Sequence, residues 1–87
     1  MNFIQRPCII VTGASSGVGL YATQSLIQRG WHVIMACRDL AKTQRVASDM
    51  NLNPTHFTIM KLDLGSLQSV RDFVGEYLAK GWPLHAL

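Results

Sequence analysis

Three glycines, Gly13, Gly17 and Gly19, stand in the order T-G-x-x-x-G-x-G, directly behind the apolar run Cys8-Ile9-Ile10-Val11 and directly before a segment of helical period. A glycine at 13 permits a sharp turn off a strand, one at 17 lets backbone approach a ligand closely, and one at 19 lets a helix pack tightly on a sheet. The backbone N–H groups at the start of that helix would face an anion, with the positive end of the helix dipole behind them. Ser15 and Ser16 are either plain turn formers or two hydroxyls that donate to the same anion. The spacing is one residue longer between its first two glycines than the G-x-G-x-x-G form, and no Gly-Lys-Ser/Thr follows it, which excludes a Walker-type loop. The chemistry expected is the cradling of a dinucleotide pyrophosphate.

Two further places speak to which dinucleotide. The second apolar run ends Ala36-Cys37-Arg38-Asp39, where a site for NAD would carry an acid to bind the adenosine ribose. Arg38 stands there instead, and a guanidinium suits a 2′-phosphate in a bidentate manner. If Asp39 caps the next helix, Lys42 falls in its first turn, where a cation opposes the helix dipole unless a phosphate lies beside it; the alternative is a solvated surface lysine. NADP(H) is therefore expected over NAD(H). The third place is Leu62-Asp63-Leu64, at the end of a third apolar run. Asp63 could accept from an adenine amino group while Leu64 offers backbone and an apolar wall, or Asp63 could only cap the following turn.

No other residue invites a catalytic role. His32 and His56 read as satisfied sheet residues, and His85 lies at the end of the chain. Cys8 and Cys37 lack metal-ligand spacing and read as buried reduced thiols, so neither a metal site nor a disulfide is expected.

The elements that must position these residues follow from periodicity. Of the 87 residues, 48% are hydrophobic and 15% charged, which suits one compact domain with a modest core. Cys8 to Val11, Trp31 to Ala36 and His56 to Leu62 read as strands, the first continuous and β-branched as in a parallel sheet covered on both faces. Between them, Val18, Ala22 and Leu26 recur every four residues up to Gly30, and Thr43, Val46, Ala47 and Met50 share one face of a helix capped by Asp39. Asn51 to Thr55, with Pro54, is the connection. Ser66 caps a third helix whose inward face is read as Leu67, Val70, Val74, Tyr77 and Leu78, stopped by Gly81. Trp31 and Trp82 each follow a helix-ending glycine and are expected to pack over it, and Leu84 to Leu87 reads as the opening of a fourth strand.

The fold class is therefore α/β, the N-terminal half of a doubly wound (Rossmann) parallel sheet of order β-α-β-α-β-α plus the start of a fourth strand. Three strands alone would leave the inner edge of the first unpaired, so residues 1–87 are expected to be the NADP-binding portion of a single larger domain that stops before its catalytic half.

Residues Thr12 to Gly19 resemble the cofactor turn of the short-chain dehydrogenase/reductase family. The runs Ala14 to Ala22, Gly30 to Arg38 and Lys61 to Leu67 are similar to one branch of it, the light-dependent protochlorophyllide oxidoreductases. That resemblance implies that Gly13, Ser15, Ser16, Gly17, Val18 and Gly19 hold phosphates and ribose, Arg38 and Lys42 the 2′-phosphate, and Asp63 with Leu64 the adenine of NADPH. It implies hydride transfer to a ring-D double bond of protochlorophyllide after the pigment absorbs light, followed by a proton, to give chlorophyllide. The family's Asn-Ala-Gly segment and its catalytic Tyr-x-x-x-Lys pair have no counterpart here; Tyr77 and Lys80 are three apart rather than four. Residues 1–87 by themselves are thus expected to hold cofactor without catalysing, and the pigment to be met through the absent C-terminal half.

Net charge is +3, yet the eight Lys and Arg are scattered without a basic stripe, which argues against a nucleic-acid surface. No apolar run approaches the roughly 18 residues of a membrane span. A first strand beginning near residue 8 leaves no room for a targeting peptide, so a cytoplasmic place, or one peripheral to photosynthetic membranes, is expected. Two other readings stand beside this one. Retinol-dehydrogenase-like reductases share the Ala-Cys-Arg-Asp and Leu-Asp-Leu strand ends, and a fragment of this size could be a non-catalytic nucleotide-binding module.

Overall fold

The computed structural model describes residues 6–13, 17–81 and 84–86, the last three as backbone only. The elements run β1 (Cys8–Thr12), α1 (Gly17–Gln28), β2 (His32–Cys37), α2 (Leu40–Asp49), a single 3-10 turn (Pro54–His56), β3 (Phe57–Lys61), α3 (Leu67–Lys80) and β4 (Leu84–Ala86). The sheet order is β3-β2-β1-β4, all pairs parallel. The short fourth strand pairs with Cys8 and Ile9 of β1, so β2 and the start of β1 are interior to the sheet.

Strand β2 explains the architecture. Every residue from His32 to Cys37 is buried, because helices cover both faces of its run of apolar side chains. Val33 and Met35 belong to one cluster with Ala47 and Phe57, against which Leu20, Leu26, Ile27 and Trp31 pack. Ile34 and Ala36 point the other way, into a cluster with Ile10, Met60, Leu62, Phe73 and Tyr77. Helices α1 and α2 therefore lie on one face and α3 on the other, as a chain that steps from β1 out to β3 and then returns to β4 requires.

The helix faces differ from the periodic reading in two places. In α1 the buried residue is Thr23, with Leu20, Leu26 and Ile27 partly covered, while Val18 is 88% and Tyr21 70% exposed. The Val18-Ala22-Leu26 stripe is one position out, since Thr23 donates its hydroxyl to the Gly19 carbonyl and so enters the interface without an unmet polar group. In α3 the inward face is Val70, Phe73 and Tyr77, and Leu67, Val74 and Leu78 lie outside. Phe73 and Tyr77 stack 6.4 Å apart and carry most of the apolar area of that helix, which sets its rotation. The stripe read for α2 holds, with Thr43 and Ala47 fully buried.

Helix ends follow local chemistry. Asp39 caps α2 by accepting from Lys42 N–H, and Ser66 caps α3 by accepting from Ser69 N–H. At Gly30, with φ 98°, the chain closes α1 through Trp31 N–H to the Leu26 carbonyl and Gly30 N–H to the Ile27 carbonyl, the paired bonds of a left-handed C-terminal cap. Trp31 is partly buried against the Val33, Met35, Ala47 and Phe57 cluster; Trp82 lies outside the described residues. Asn51 does the same at the end of α2 with φ 56°, through Leu52 N–H to Ala47 and Asn51 N–H to Ser48. An alanine there must adopt the left-handed region without the local hydrogen bonding that suits asparagine to it. Asn51→Ala is expected to cost about 1 kcal/mol in denaturant unfolding, and Asn51→Gly nothing measurable.

Among the described residues the two cysteines are free and buried. His32 is buried and its Nε2 lies 2.9 Å from Thr58 Oγ1, while His56 sits in the 3-10 turn rather than on the strand. Burial first, then the nearby cations Arg6 and His56, push the His32 imidazole below its ordinary value of 6.5. Below that value the unfolded chain binds a proton that the folded chain resists. Stability is thus retained above about pH 6.5 and drains away as pH falls from there through the lowered folded-state value. Urea midpoints should be level well above about pH 6.5 and decline as pH falls through and below that value, with a shallower decline in His32→Gln.

Candidate nucleotide site

Strands β1, β2 and β3 end level with one another: Thr12 pairs with Ala36, and Cys37 with Lys61. The ladder runs one residue further on each side, through Gly13 N–H to the Ala36 carbonyl at 3.2 Å and Leu62 N–H to the Cys37 carbonyl at 2.8 Å. Three loops therefore leave the sheet at the same height, on the side of its C-terminal ends, where open α/β sheets place their ligands. Between them lies a cavity of about 620 Å³.

The cavity is lined by Thr12 and Gly13 from the end of β1, Ala36 to Asp39 and Lys42 from the β2–α2 junction, and Leu62 to Gly65 beyond β3. Five residues singled out from spacing, namely Gly13, Arg38, Lys42, Asp63 and Leu64, thus come together around one space. Gly13 has φ 64°, and a Cβ built there would meet no atom within 4 Å; the position is open, and its conformation is what favours glycine. Gly17, Val18 and Gly19 form the first turn of α1 and are not part of the lining. Ser15 and Ser16 lie outside the described residues.

Charge is distributed unevenly. Arg38 and Lys42, both exposed, bring two cations to the β2 side. On the β3 side the carboxylate of Asp63 accepts from Gly65 N–H at 2.9 Å, a turn closed on itself, and Leu64 is 70% exposed. The turn-forming alternative for Asp63 is therefore realised, and Asp63 lines the cavity as well. One end of the space can hold an anion and the other a group that offers an N–H, with an apolar side chain beside it.

Spacing did not single out Cys37, Ala36 or Gly65 as lining residues. Cys37 was read as a small buried hydrophobe, and so it is, with Sγ 3.9 Å from the Met60 carbonyl oxygen. It lines the cavity because it ends β2. The signal for Ala36 and Cys37 was position at a strand end rather than side-chain chemistry, and that for Gly65 its place in the turn after β3. Among the described residues no group of His, Cys, Asp or Glu could hold a metal ion.

A parallel sheet with this strand order, helices on both faces and a cavity at the C-terminal strand ends is the arrangement of the N-terminal part of a doubly wound fold. Residues 7–87 match the short chain dehydrogenase family, and the chain belongs to that family. It is 45% identical over 85 residues to a chloroplastic protochlorophyllide reductase of Cucumis sativus, covering 97% of this chain and 21% of that protein. Identity is 49%, with the same coverage, to a chloroplastic protochlorophyllide reductase of Pisum sativum. A citronellol catabolism dehydrogenase of Pseudomonas aeruginosa superposes with a TM-score of 0.76 at 27% identity, covering 99% of this chain and 39% of that one. The chain thus spans about a fifth of the length of the curated relatives it matches. Membership in a dehydrogenase family implies a nicotinamide cofactor. Among the described residues no helix is long and apolar enough to cross a membrane.

Proposed function

We propose that residues 1–87 form the NADPH-binding portion of a light-dependent protochlorophyllide reductase, an enzyme of chlorophyll synthesis. The observation that carries the cofactor half of this reading is the pairing of Arg38 and Lys42 across one cavity from Asp63. Two cations beside the β2 end suit the 2′-phosphate that distinguishes NADPH from NADH. Gly13, Ser15, Ser16, Gly17, Val18 and Gly19 would hold the pyrophosphate and adjacent ribose, and Asp63 with Leu64 the adenine. Lys42 is the third residue of α2, where its charge opposes the helix dipole. A phosphate held between Arg38 and Lys42 offsets that cost, so the residues present fit the group.

The bound cofactor supplies a hydride. This chain's own residues bind and orient it at the adenosine end; its sequence holds no Tyr-x-x-x-Lys pair of the kind that relays a proton in the family. Identity of 45% and 49% to two protochlorophyllide reductases supports the substrate, reached through residues outside this chain, and their chloroplastic placement supports a site at or near photosynthetic membranes.

The test is titration calorimetry of the chain with NADPH and with NADH. Preference for NADPH of about tenfold or more, the effect of one or two charge-assisted hydrogen bonds, is the expected result. Equal affinities overturn the cofactor assignment.

A further inference from the structure

Beyond Leu62 the β2–β3 ladder stops, and Asp63 N–H would lose its partner. Instead it donates to Ser69 Oγ at 2.8 Å. Ser69 stands in the first turn of α3, where its own N–H is held by Ser66 Oγ at 3.2 Å. Ser66 N–H returns to the Asp63 carbonyl at 3.0 Å, and Gly65 N–H takes one carboxylate oxygen of Asp63. Three of these bonds close the loop on itself or cap the helix. The Asp63–Ser69 bond is different in kind, since it ties the loop to the body of a 14-residue helix.

We propose that Ser69 is a positioning residue for the adenine end of the cofactor site: it sets where the free oxygen of Asp63 is presented, without touching the ligand. Ser69 is absent from the lining of the main cavity and lines a separate groove with Lys61, Gln68 and Asp72. It therefore acts through Asp63. With one carboxylate oxygen committed to Gly65 N–H, recognition at this corner rests on the other, an acceptor that needs a ligand N–H in a defined place. A Cβ at Gly65 would come 3.3 Å from that committed oxygen, so the turn has little slack on its inner side. Releasing the Asp63 backbone from Ser69 lets the carboxylate drift from the base while leaving Arg38 and Lys42, on α2 and its junction, where they are.

This inference rests on the cavity being an NADPH site, and its test separates the two. Affinities are measured by calorimetry for NADPH, NADH and the NADPH analogue whose adenine 6-amino group is replaced by oxygen. The parent chain should prefer NADPH over the analogue about tenfold. In Ser69→Ala that ratio should collapse to about 2 or below, while the NADPH-to-NADH ratio stays as in the parent; in Ser69→Thr, which keeps the hydroxyl, both ratios persist. A parent chain without preference for NADPH over NADH overturns the cofactor reading and this inference with it. Preference for the 2′-phosphate together with a base ratio that is absent in the parent, or unmoved in Ser69→Ala, overturns this inference alone. Amide exchange on the unsubstituted, cofactor-free chain is a second measurement that needs no variant. Asp63 N–H must exchange slowly, like the adjoining Leu62 N–H, and exchange at the rate of an open loop overturns the role of Ser69.

Discussion

Arg38→Ala is expected to weaken NADPH binding about 10- to 100-fold while leaving NADH binding within about twofold, so that discrimination between the two cofactors largely disappears. Arg38 sits one residue past the end of β2 and lines the cavity with Lys42. Its guanidinium offers a planar fork to a phosphate that NADH lacks, so the loss falls on one cofactor only. Arg38→Lys separates charge from geometry: a point charge without the fork should recover part of the affinity, not all of it. The side chain is exposed and takes no part in either core cluster, so folding should be unchanged and the affinities directly comparable. A protein that lacks Arg38 and still prefers the phosphorylated cofactor by the parent's margin would place the 2′-phosphate elsewhere.

The largest effect on stability is expected at Ile34→Ala. Ile34 is fully buried at the centre of β2, paired with Ile10 of β1 and Thr58 of β3, in the cluster under α3. Truncation removes the transfer free energy of three carbons and leaves a cavity that rigid neighbouring strands cannot close, at a cost of about 2–5 kcal/mol. A chain of this size has on the order of 5–10 kcal/mol in total. The thermal midpoint should fall by about 10 °C or more, or the cooperative transition should vanish. Leu78→Ala is the matched comparison, because Leu78 is 71% exposed on α3, and a shift within about 0.5 kcal/mol is expected there.

Much of the fold was legible in the sequence because strands and helix ends depend on neighbours in the chain. Apolar runs located β1 and β2, and a stretch mixed in polarity at its start located β3, each to within a residue or two, and Asp39, Ser66, Gly30 and Gly81 marked helix ends whose hydrogen bonds close within five residues. Helix rotation was less legible. Val18, Leu67, Val74 and Leu78 fit an apolar period, yet they face outward, since the packing of Phe73, Tyr77 and a back-bonded Thr23 decides which side of each helix meets the sheet.

The candidate site divides in the same way. Gly13, Arg38, Lys42, Asp63 and Leu64 could be named from spacing, because each comes after a strand end and each suits one part of a dinucleotide, Gly13 through its backbone freedom and the others through their side chains. Their convergence is a property of the sheet. Parallel register brings Thr12, Ala36 and the Cys37–Lys61 pair to one level, and only then do loops 25 residues apart in the chain line one cavity. Ser69 had no sequence signal at all. A serine in the first turn of a helix is common, and its role exists only because the backbone of Asp63 outruns the β2 ladder and needs an acceptor that α3 happens to carry at 2.8 Å. By itself, then, the sequence determined the elements, their order and the chemical types at each strand end, which are local matters of dihedral preference, capping and charge. Tertiary structure alone decided which helix faces are buried, which strand ends share a cavity and what holds Asp63 in place, since those depend on hydrogen bonds and packing between residues that the chain does not bring together until it folds.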